Sequence, residues 1–308
     1  MSPVANTANG WANNMALNGV LLFGAGGQLG HELHQRLHAL GEVSALTRAD
    51  IDLADLQALR ACVWRHQPRW IVNAAAYTAV DRAEQENDLA QSINAHAPGV
   101  MAEVAAQLGA GLVHYSTDYV FNGRAQYPYT EDDVPDPQSV YGRTKRHGEL
   151  ALQASGARHL TLRSSWVVGA HGQNFLKTML RLGQERDTLR VVADQVGVPT
   201  GAAWMAAITV QAMQLSDRDG LSGLFHLTPA GETSWHGYAH YLFQQARAIG
   251  WHLKVTEVQA IRTDEYPLPA VRPAYSLLDS SRLVKALDIE LPPWQQGVDA
   301  VLQALRQA

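Results

Sequence analysis

Cysteine is almost absent from this sequence: Cys62 is the only one among 308 residues. A single cysteine cannot form an intramolecular disulfide, which is typical of chains that work in a reducing compartment, so we expect a cytoplasmic protein. Cys62 falls in a predicted helix, where it is expected to pack as a small apolar residue without a redox role.

Long apolar runs and an excess of charge of one sign are also missing. No apolar stretch approaches the roughly 20 residues that a membrane-spanning helix needs. The formal net charge of −5 gives no basic footprint for nucleic acid or for an anionic membrane. Residues 1–18 have neither the basic region nor the apolar region of a secretory signal, and we predict a disordered extension with a candidate start at Met15.

Short apolar strands alternate with amphipathic helices in the first half of the chain. The predicted strands are Val20–Phe23, Val43–Leu46, Trp70–Ala75, Leu112–Ser116 and Leu160–Ser164. The predicted helices are Gln28–Leu40, Asp55–His66, Ala90–Leu108 and Gln138–Gln153. This alternation predicts a parallel sheet covered on both faces, the doubly wound α/β (Rossmann) architecture.

The second half is less regular and rich in proline loops. Helices are predicted at Gln173–Gln184, Trp204–Leu215, Trp235–Ile249 and Trp294–Leu305, and strands at Leu189–Val192, Leu224–Leu227 and Val255–Gln259. We predict a dinucleotide-binding domain over 19–165 and a smaller α/β substrate-binding lobe over 166–308, with some segments returning to the first domain. Such a lobe would cover the carboxyl edge of the sheet, where open α/β sheets bind their ligands.

A glycine-rich loop, LLFGAGGQLG, joins the first strand to the first helix. Gly24, Gly27 and Gly30 allow a tight turn and a close approach of the backbone to a pyrophosphate, at a helix N-terminus that favours anions. The spacing differs from the G-x-G-x-x-G of many dehydrogenases, and a bare turn is the simpler alternative. The strand–turn–helix context favours dinucleotide binding.

Three histidines in HELHQRLH suggest a competing zinc site, because His34 and His38 are four residues apart and His31 lies one turn earlier. The segment lacks the H-E-x-x-H pattern, and its leucines must face the sheet. A solvent-facing set of histidines is therefore the better interpretation.

Tyr141 and Lys145 are also four residues apart on a predicted helix and share one face. A phenol with an ordinary pKa of about 10 is a poor acid-base group at neutral pH, but a nearby ammonium lowers its pKa. The spacing alone is weak evidence, because surface helices bring such pairs together by chance.

Further motifs decide between these alternatives. The glycine loop is followed, in this order, by the segments VNAAAYTAVDRAE, INAHAP, HYSTDYVFNG, YGRTK, RSSWVVG, NFLKTML, DQVGVPTGA and RPAYSLLD. From about Val20 onward the chain resembles the extended short-chain dehydrogenase/reductases and, within them, the dTDP-4-dehydrorhamnose reductase family. The resemblance implies reduction of the C4 ketone of a dTDP-6-deoxyhexulose. It leaves open an epimerase or dehydratase on the same scaffold, and a non-catalytic regulatory subunit.

The resemblance implies catalytic roles for Thr117, Tyr141 and Lys145. Thr117 stands where many relatives have serine, and either hydroxyl can bond the substrate carbonyl. Asn94 is a candidate for maintaining a proton relay, with helix capping or packing as the alternative. The residues expected to bind the cofactor are Gly24, Gly27, Gln28, Leu29, Gly30, Arg48, Asp52, Leu53, Ala74, Ala75, Ala76, Tyr77, Thr78, Tyr141 and Lys145.

Substrate contacts are expected from Thr117, Asp118, Trp166, Asn174 and Arg272. The Trp166 ring offers an apolar face to a sugar, unless it is simply a core tryptophan. The Arg272 guanidinium suits a pyrophosphate, unless it forms a surface ion pair.

We predict that NADPH is preferred and that NADH is also accepted. Thr47 and Arg48 stand where an NAD-selective fold has a carboxylate, although a bent loop can return Asp50 or Asp52 to the ribose. The expected partner is a dTDP-sugar, with no nucleic acid and no membrane. The sequence determines neither the oligomeric state, for which a homodimer is the candidate, nor whether a divalent metal such as Mg²⁺ takes part.

Overall fold

A computed structural model of the chain describes residue 17 and residues 19–307. The strands are β1 Val20–Phe23, β2 Val43–Leu46, β3 Trp70–Asn73, β4 Gly111–Thr117, β5 Arg158–Ser164, β6 Val167–Val168, β7 Thr188–Val192, β8 Val196–Gly197, β9 Thr200–Gly201, β10 Gly223–His226, β11 Thr233–Ser234 and β12 Glu257–Ile261. The helices are α1 Gln28–His38, α2 Leu56–His66, α3 Val80–Ala83, α4 Asn87–Gln91, α5 Ala97–Leu108, α6 Val140–Ala154, α7 Phe175–Glu185, α8 Ala202–Asp219, α9 Trp235–Ala248, α10 Ser281–Leu287 and α11 Trp294–Gln307.

Six parallel strands form the central sheet, in the order β10-β5-β4-β3-β1-β2. The chain moves from β1 outward to β2 and then crosses to β3 on the other side of β1. Ligands of such sheets bind at this reversal, beyond the carboxyl ends of the strands. The loops that follow β1 and β3 therefore flank the expected binding crevice, and the predicted doubly wound fold is confirmed.

Apolar side chains cover both faces of the sheet. Leucines of α1 pack with residues of α8 and α10 on one face, while α2 and α5 cover the other, where Cys62 lies buried as predicted. A third apolar cluster is formed by α7, β7, α9 and α11, within the segment predicted to form the smaller lobe. None of the helices in the described part of the chain is long and apolar enough to cross a membrane.

Several element predictions need correction. The helix predicted at Ala90–Leu108 starts earlier, at α4, and is interrupted by a π-helical turn at Ser92–His96 before α5. The strand predicted at Val255–Gln259 is shifted to β12, which pairs with β7. Helix α10 and the short pairs β6–β9 and β8–β11 were not predicted, because segments this short carry little periodicity.

The predicted N-terminal extension, residues 1–18, lies outside the described residues except at Leu17. That side chain is 1% exposed, and its backbone N–H donates to the Leu40 carbonyl at 3.2 Å. Leu17 thus belongs to the core beside β1. The candidate start at Met15 also lies outside the described residues.

Candidate active site

The glycine loop between β1 and α1 forms a tight cradle. Gly24 has φ +82°, and a Cβ on it would lie 2.7 Å from the Ala75 backbone nitrogen. A Cβ on Gly30 would lie 1.9 Å from the Gly24 carbonyl oxygen. Gly27 is the N-cap residue of helix α1, which has no side-chain cap and no acidic residue in its first turn. Its amide groups and positive dipole end are therefore available to an anion such as a pyrophosphate.

Gln28 links this loop to the smaller lobe. Its Oε1 accepts hydrogen bonds from the Gly169 backbone N–H at 2.9 Å and from Asn174 Nδ2 at 2.8 Å. Asn174 also donates to the Gly169 carbonyl and caps α7 by accepting from the Lys177 N–H at 2.9 Å. Leu29 is buried in the core, which leaves its backbone as the group that can meet a cofactor. Both groups of the Asn174 amide are engaged, and its contact with a substrate stays a prediction.

The segment after β3 is held by Asn94, which lies in the π-helical turn and is fully buried. Asn94 Oδ1 accepts from the Tyr77 N–H at 2.8 Å, and its Nδ2 donates to the Tyr77 carbonyl and to Thr144 Oγ1, both at 3.1 Å. These bonds tie the Ala74–Thr78 segment to α6. They favour the packing role that the sequence left open for Asn94.

The carboxyl end of β2 brings Thr47, Arg48 and Asp50 together. Asp50 bends back and accepts hydrogen bonds from the Thr47 backbone N–H at 2.8 Å and from its hydroxyl at 2.7 Å, which lowers the pKa of the Asp50 carboxyl. Arg48 is exposed and has no hydrogen-bond or ion-pair partner among residues 17 and 19–307. Asp52 is likewise exposed and accepts from the Ala54 N–H at 3.0 Å, while Leu53 is buried. Of these side chains, the Arg48 guanidinium is the one free to bind a phosphate.

Helix α6 carries Tyr141 and meets the end of β4 at close range. Ser139 caps the helix by accepting from the Gly142 N–H at 3.1 Å. A Cβ on Gly142 would lie 2.1 Å from the Tyr119 carbonyl oxygen, so only glycine permits this approach. The Tyr119 and Tyr141 rings meet edge to face at 5.5 Å. Tyr141 thereby comes close to the hydroxyl of Thr117, which donates to Asp118 Oδ1 at 2.9 Å.

The electrostatics around Tyr141 differ from those that the sequence predicts. Burial raises the pKa of Tyr141 to about 12, hydrogen bonding with Thr117 lowers it in part, and the charge of Asp118 raises it. Asp118 is 2% exposed, and burial raises the pKa of its carboxyl to about 6. Lys145 is not among the groups that shift the Tyr141 pKa. The predicted lowering by Lys145 is wrong for this arrangement, because the lysine faces the sheet.

Lys145 is 2% exposed and lies against β4. Its Nζ donates to the Tyr115 carbonyl at 2.6 Å and lies 3.2 Å from His114 Nε2. Burial lowers the pKa of Lys145 to about 8, partly opposed by the charge of Glu149. The contact with His114 was missed by the sequence reasoning, although a histidine within an apolar strand was a usable signal.

Trp166 has an unusual backbone conformation, with φ +45°. One face of its indole stacks on Trp235 with ring centroids 3.6 Å apart, and a Cβ on Gly197 would lie 2.7 Å from the Trp166 ring. Such outliers in non-glycine residues persist where surrounding contacts hold them, often at functional sites. Trp166 is only partly buried, so the structure places it at the margin of the lobe's core.

Arg272 forms the ion pair that the sequence left as the alternative. Its Nη1 and Nη2 donate to the two carboxylate oxygens of Asp81 at 3.0 and 2.7 Å, and the Ala270 N–H donates to the same carboxylate. The pair ties the proline-rich loop to α3. The charge of Asp81 leaves the guanidinium partly neutralised, and a contact of Arg272 with pyrophosphate stays a prediction.

Among residues 17 and 19–307, no group of three or more His, Cys, Asp or Glu side chains is arranged to hold a metal ion. The His31 ring instead lies 3.4 Å from the His171 ring, centroid to centroid and tilted by 32°, and the rings of His34 and His38 lie 6.0 Å apart. The prediction of a divalent metal is therefore not carried further.

A family model described as the RmlD substrate binding domain matches residues 18–307. The chain is 44% identical to a dTDP-4-dehydrorhamnose reductase of Salmonella typhimurium over 291 residues, which are 92% of this chain and 96% of that protein.

Two solved structures of dTDP-4-dehydrorhamnose reductases superpose closely on this chain. The dTDP-4-dehydrorhamnose reductase of Clostridium acetobutylicum is 36% identical with a TM-score of 0.85, covering 93% of this chain and 99% of that one. The Bacillus anthracis enzyme, solved in complex with NADP, is 33% identical with a TM-score of 0.86, covering 94% and 100%.

Proposed function

The chain belongs to the dTDP-4-dehydrorhamnose reductase family, and from this premise we propose that it reduces dTDP-4-dehydro-6-deoxy-L-mannose at the C4 ketone to dTDP-L-rhamnose. NADPH is the preferred reductant, and NADH is accepted. The enzyme acts on a small-molecule nucleotide sugar, with the sugar between the end of β4 and the smaller lobe.

One observation carries the proposal: Tyr141 and Thr117 lie close together where β4 ends, at the same sheet edge as the glycine cradle after β1. A carbonyl reductase needs a hydroxyl pair at the carbonyl oxygen and a dinucleotide beside it. The fold brings the Tyr141 and Thr117 hydroxyls and the glycine cradle to one edge of the sheet, beside the point where the strand order reverses, which supports this proposal.

Bound NADPH would supply the hydride that adds to the ketone carbon. Tyr141 donates the proton to the carbonyl oxygen. With a pKa raised to about 12, the phenol of Tyr141 is neutral and keeps its proton at neutral pH, so the proton is available for donation. Thr117 hydrogen-bonds the same oxygen and aligns it with the phenol.

Lys145 contributes to cofactor binding by donating hydrogen bonds to the ribose hydroxyls, as the family resemblance implies. Trp166 supports the hexose through its partly exposed ring edge, and Asp118 and Arg272 contribute to recognition of the nucleotide sugar. The roles of Asp118 and Arg272 are supported by their charges, which act on Tyr119, whose ring meets that of Tyr141.

Arg48 selects the cofactor. The Asp50 carboxylate already accepts two hydrogen bonds from Thr47. It is therefore not positioned to accept a hydrogen bond from the ribose 2′-hydroxyl. The Arg48 guanidinium has no other partner in the described chain and can pair with a 2′-phosphate. A hydroxyl in place of that phosphate meets no repulsion, which is why NADH is still accepted.

NADPH oxidation, followed by absorbance with dTDP-4-dehydro-6-deoxy-L-mannose, tests the proposal, and Tyr141→Phe is the matched variant. We expect turnover by the wild-type enzyme and a loss of about 100-fold or more in the variant, the usual scale for a general acid. Cofactor affinity should be nearly unchanged, because the ring remains. Product formation without net hydride consumption would indicate an epimerase or dehydratase. A folded, cofactor-binding protein with no turnover would indicate a regulatory subunit.

A further inference from the structure

Trp166 lies next to the proposed site of reduction, and its backbone is held in an unusual conformation. It follows β5 by two residues, and Ser164 at the end of β5 is paired in register with Thr117 of β4. Its φ is +45°, and its carbonyl accepts from the Thr200 N–H at 3.2 Å, beside the β6–β9 pair. A strained backbone of this kind persists only where neighbouring contacts fix it, often at ligand sites.

The Trp166 indole is covered on one side by Trp235. The two ring centroids lie 3.6 Å apart and the ring planes are inclined by 14°, so the rings are stacked. A Cβ on Gly197 would lie 2.7 Å from the Cε2 and Cζ2 atoms of Trp166, so only glycine lets β8 approach the indole this closely. Gly197 pairs with Thr233, and Trp235 comes two residues after Thr233. The short β8–β11 pair therefore sets both contacts.

Trp235 is fixed in turn by a buried glutamine. Its Nε1–H donates to Gln195 Oε1 at 3.2 Å, and Gln195 is 5% exposed. An indole N–H can only donate, so the oxygen of the Gln195 amide faces it, and the NH₂ is left to donate to Thr263 Oγ1 at 3.1 Å. Phe175 packs on Trp235 with ring centroids 4.7 Å apart. The Trp235 ring therefore cannot rotate without losing a buried hydrogen bond.

A stack of two core tryptophans is the simpler interpretation, and two features argue against it. Both rings are only partly buried, whereas Tyr238 and Leu242 in the apolar cluster beside them are 1% and 0% exposed. The residue with the strained backbone is Trp166, which lies at the margin of that cluster and next to the sheet edge. The pair therefore has a surface that a ligand at the sheet edge can reach.

Such a stack strengthens the binding of the ligand that touches it. A side chain that is already ordered loses less conformational entropy when a ligand binds to it. An indole free to rotate would lose its rotamer freedom on contact with a sugar, whereas the Trp166 indole is ordered by Trp235 before the sugar arrives. The gain goes to the hexose, whose C–H groups can rest on an aromatic ring, and not to the nucleoside diphosphate.

We propose that Trp235 is a positioning residue for hexose binding: it holds the Trp166 indole in place, so that the enzyme binds a dTDP-hexose more tightly than dTDP itself. Gln195 acts on the same contact by fixing Trp235. The inference rests on the proposed function in that Trp166 is taken as the residue that contacts the hexose.

The first experiment detects the stack in the enzyme without ligands, by far-ultraviolet circular dichroism. Two stacked indoles couple their transitions and give bands of opposite sign, which disappear when either indole is removed. We expect Trp166→Phe and Trp235→Phe to give the same difference spectrum relative to wild type. Trp64→Phe is the control, because Trp64 is 40% exposed on α2 and should leave the coupled bands unchanged. Unlike difference spectra for the Trp166 and Trp235 variants would overturn the proposal.

The second experiment compares binding of dTDP-L-rhamnose, the proposed product, with binding of dTDP by calorimetry, with NADPH present so that no reaction occurs. Trp235→Leu should weaken binding of dTDP-L-rhamnose by about tenfold and leave that of dTDP within about twofold. Trp235→Phe keeps a ring on which Trp166 can stack and should remain close to wild type. Gln195→Leu should shift in the same direction as Trp235→Leu, and it takes the place of that variant if Trp235→Leu does not fold.

The outcomes separate this proposal from the proposed reaction. Equal weakening of both ligands, or no weakening of either, would make Trp235 a structural residue and overturn the proposal. A wild-type enzyme that binds dTDP-L-rhamnose no more tightly than dTDP would overturn it as well. Neither measurement requires turnover, so a loss selective for dTDP-L-rhamnose in an enzyme that does not oxidise NADPH would support the role of Trp235 and reject the proposed reduction.

Discussion

Gly142→Ala tests whether the close approach of α6 to the Tyr119 backbone positions the catalytic side chains. The new Cβ would lie 2.1 Å from the Tyr119 carbonyl oxygen, whereas real Cβ contacts essentially never fall below 3.0 Å. The obstacle is a backbone atom that cannot rotate away. Helix α6 must therefore move by about 1 Å, and it carries Tyr141 next to the substitution and Lys145 three residues later.

A misplacement of about 1 Å at the reacting groups costs on the order of 100-fold in rate. We expect kcat of Gly142→Ala to fall by about that factor in the NADPH oxidation assay, with a smaller change in NADPH affinity. Gly99→Ala is the control, since it adds the same methyl group to helix α5 at 3.4 Å from Ala151 Cβ, an ordinary contact distance. Circular dichroism and thermal melting must show both variants folded. If folded Gly142→Ala keeps turnover close to wild type, the contact does not position the site.

Three further outcomes follow from the structure. Trp166→Ala should raise the Michaelis constant for the sugar nucleotide much more than it changes NADPH affinity; equal loss of both ligands would identify a core tryptophan. Arg48→Ala should remove a preference for NADPH over NADH of roughly ten- to a hundredfold, measured as the ratio of kcat/KM values, and a retained preference would assign selection to another residue. Arg163→Met should lower the free energy of unfolding in urea by up to about 3–5 kcal/mol, because the Glu149 carboxylate, at 1% exposure, then keeps Arg146 as its one arginine partner in place of two. Burial raises the pKa of Glu149, but the hydrogen bonds and charge of Arg163 lower it overall. The stabilisation is therefore present at neutral pH and is lost on acidification through the folded-state pKa of Glu149. A difference in unfolding free energy between wild type and variant that does not change with pH would contradict this explanation.

The sequence was sufficient for the parts of the fold that repeat a pattern. Leu29, Leu33 and Leu37 form the stripe that predicts α1 on the sheet, and all three are buried there. The glycine loop and the Tyr141–Lys145 spacing were likewise readable, because each depends on neighbours close in the sequence.

What could not be predicted depends on contacts between distant segments. The rotamer of Lys145 is set by the Tyr115 carbonyl and His114, some 30 residues earlier, and it turns the lysine away from Tyr141. Arg272 is paired with Asp81, 191 residues away in the chain. The π-helical turn that holds Asn94 is an irregularity inside a stretch that has ordinary helical periodicity. Local propensity carries no information about such partners.

The position of β10 at one edge of the sheet has a consequence for synthesis on the ribosome. Residues 19–165 contain five of the six parallel strands, but β5 gains its outer neighbour only when Gly223–His226 have been made. Helix α8, which packs beside α1 over the same sheet, also comes from this later segment. At about 5–20 residues per second, several seconds separate the completion of β5 from the arrival of β10. During that interval the nascent chain exposes an unpaired strand edge and an uncovered apolar face, and such surfaces are prone to pair with other chains.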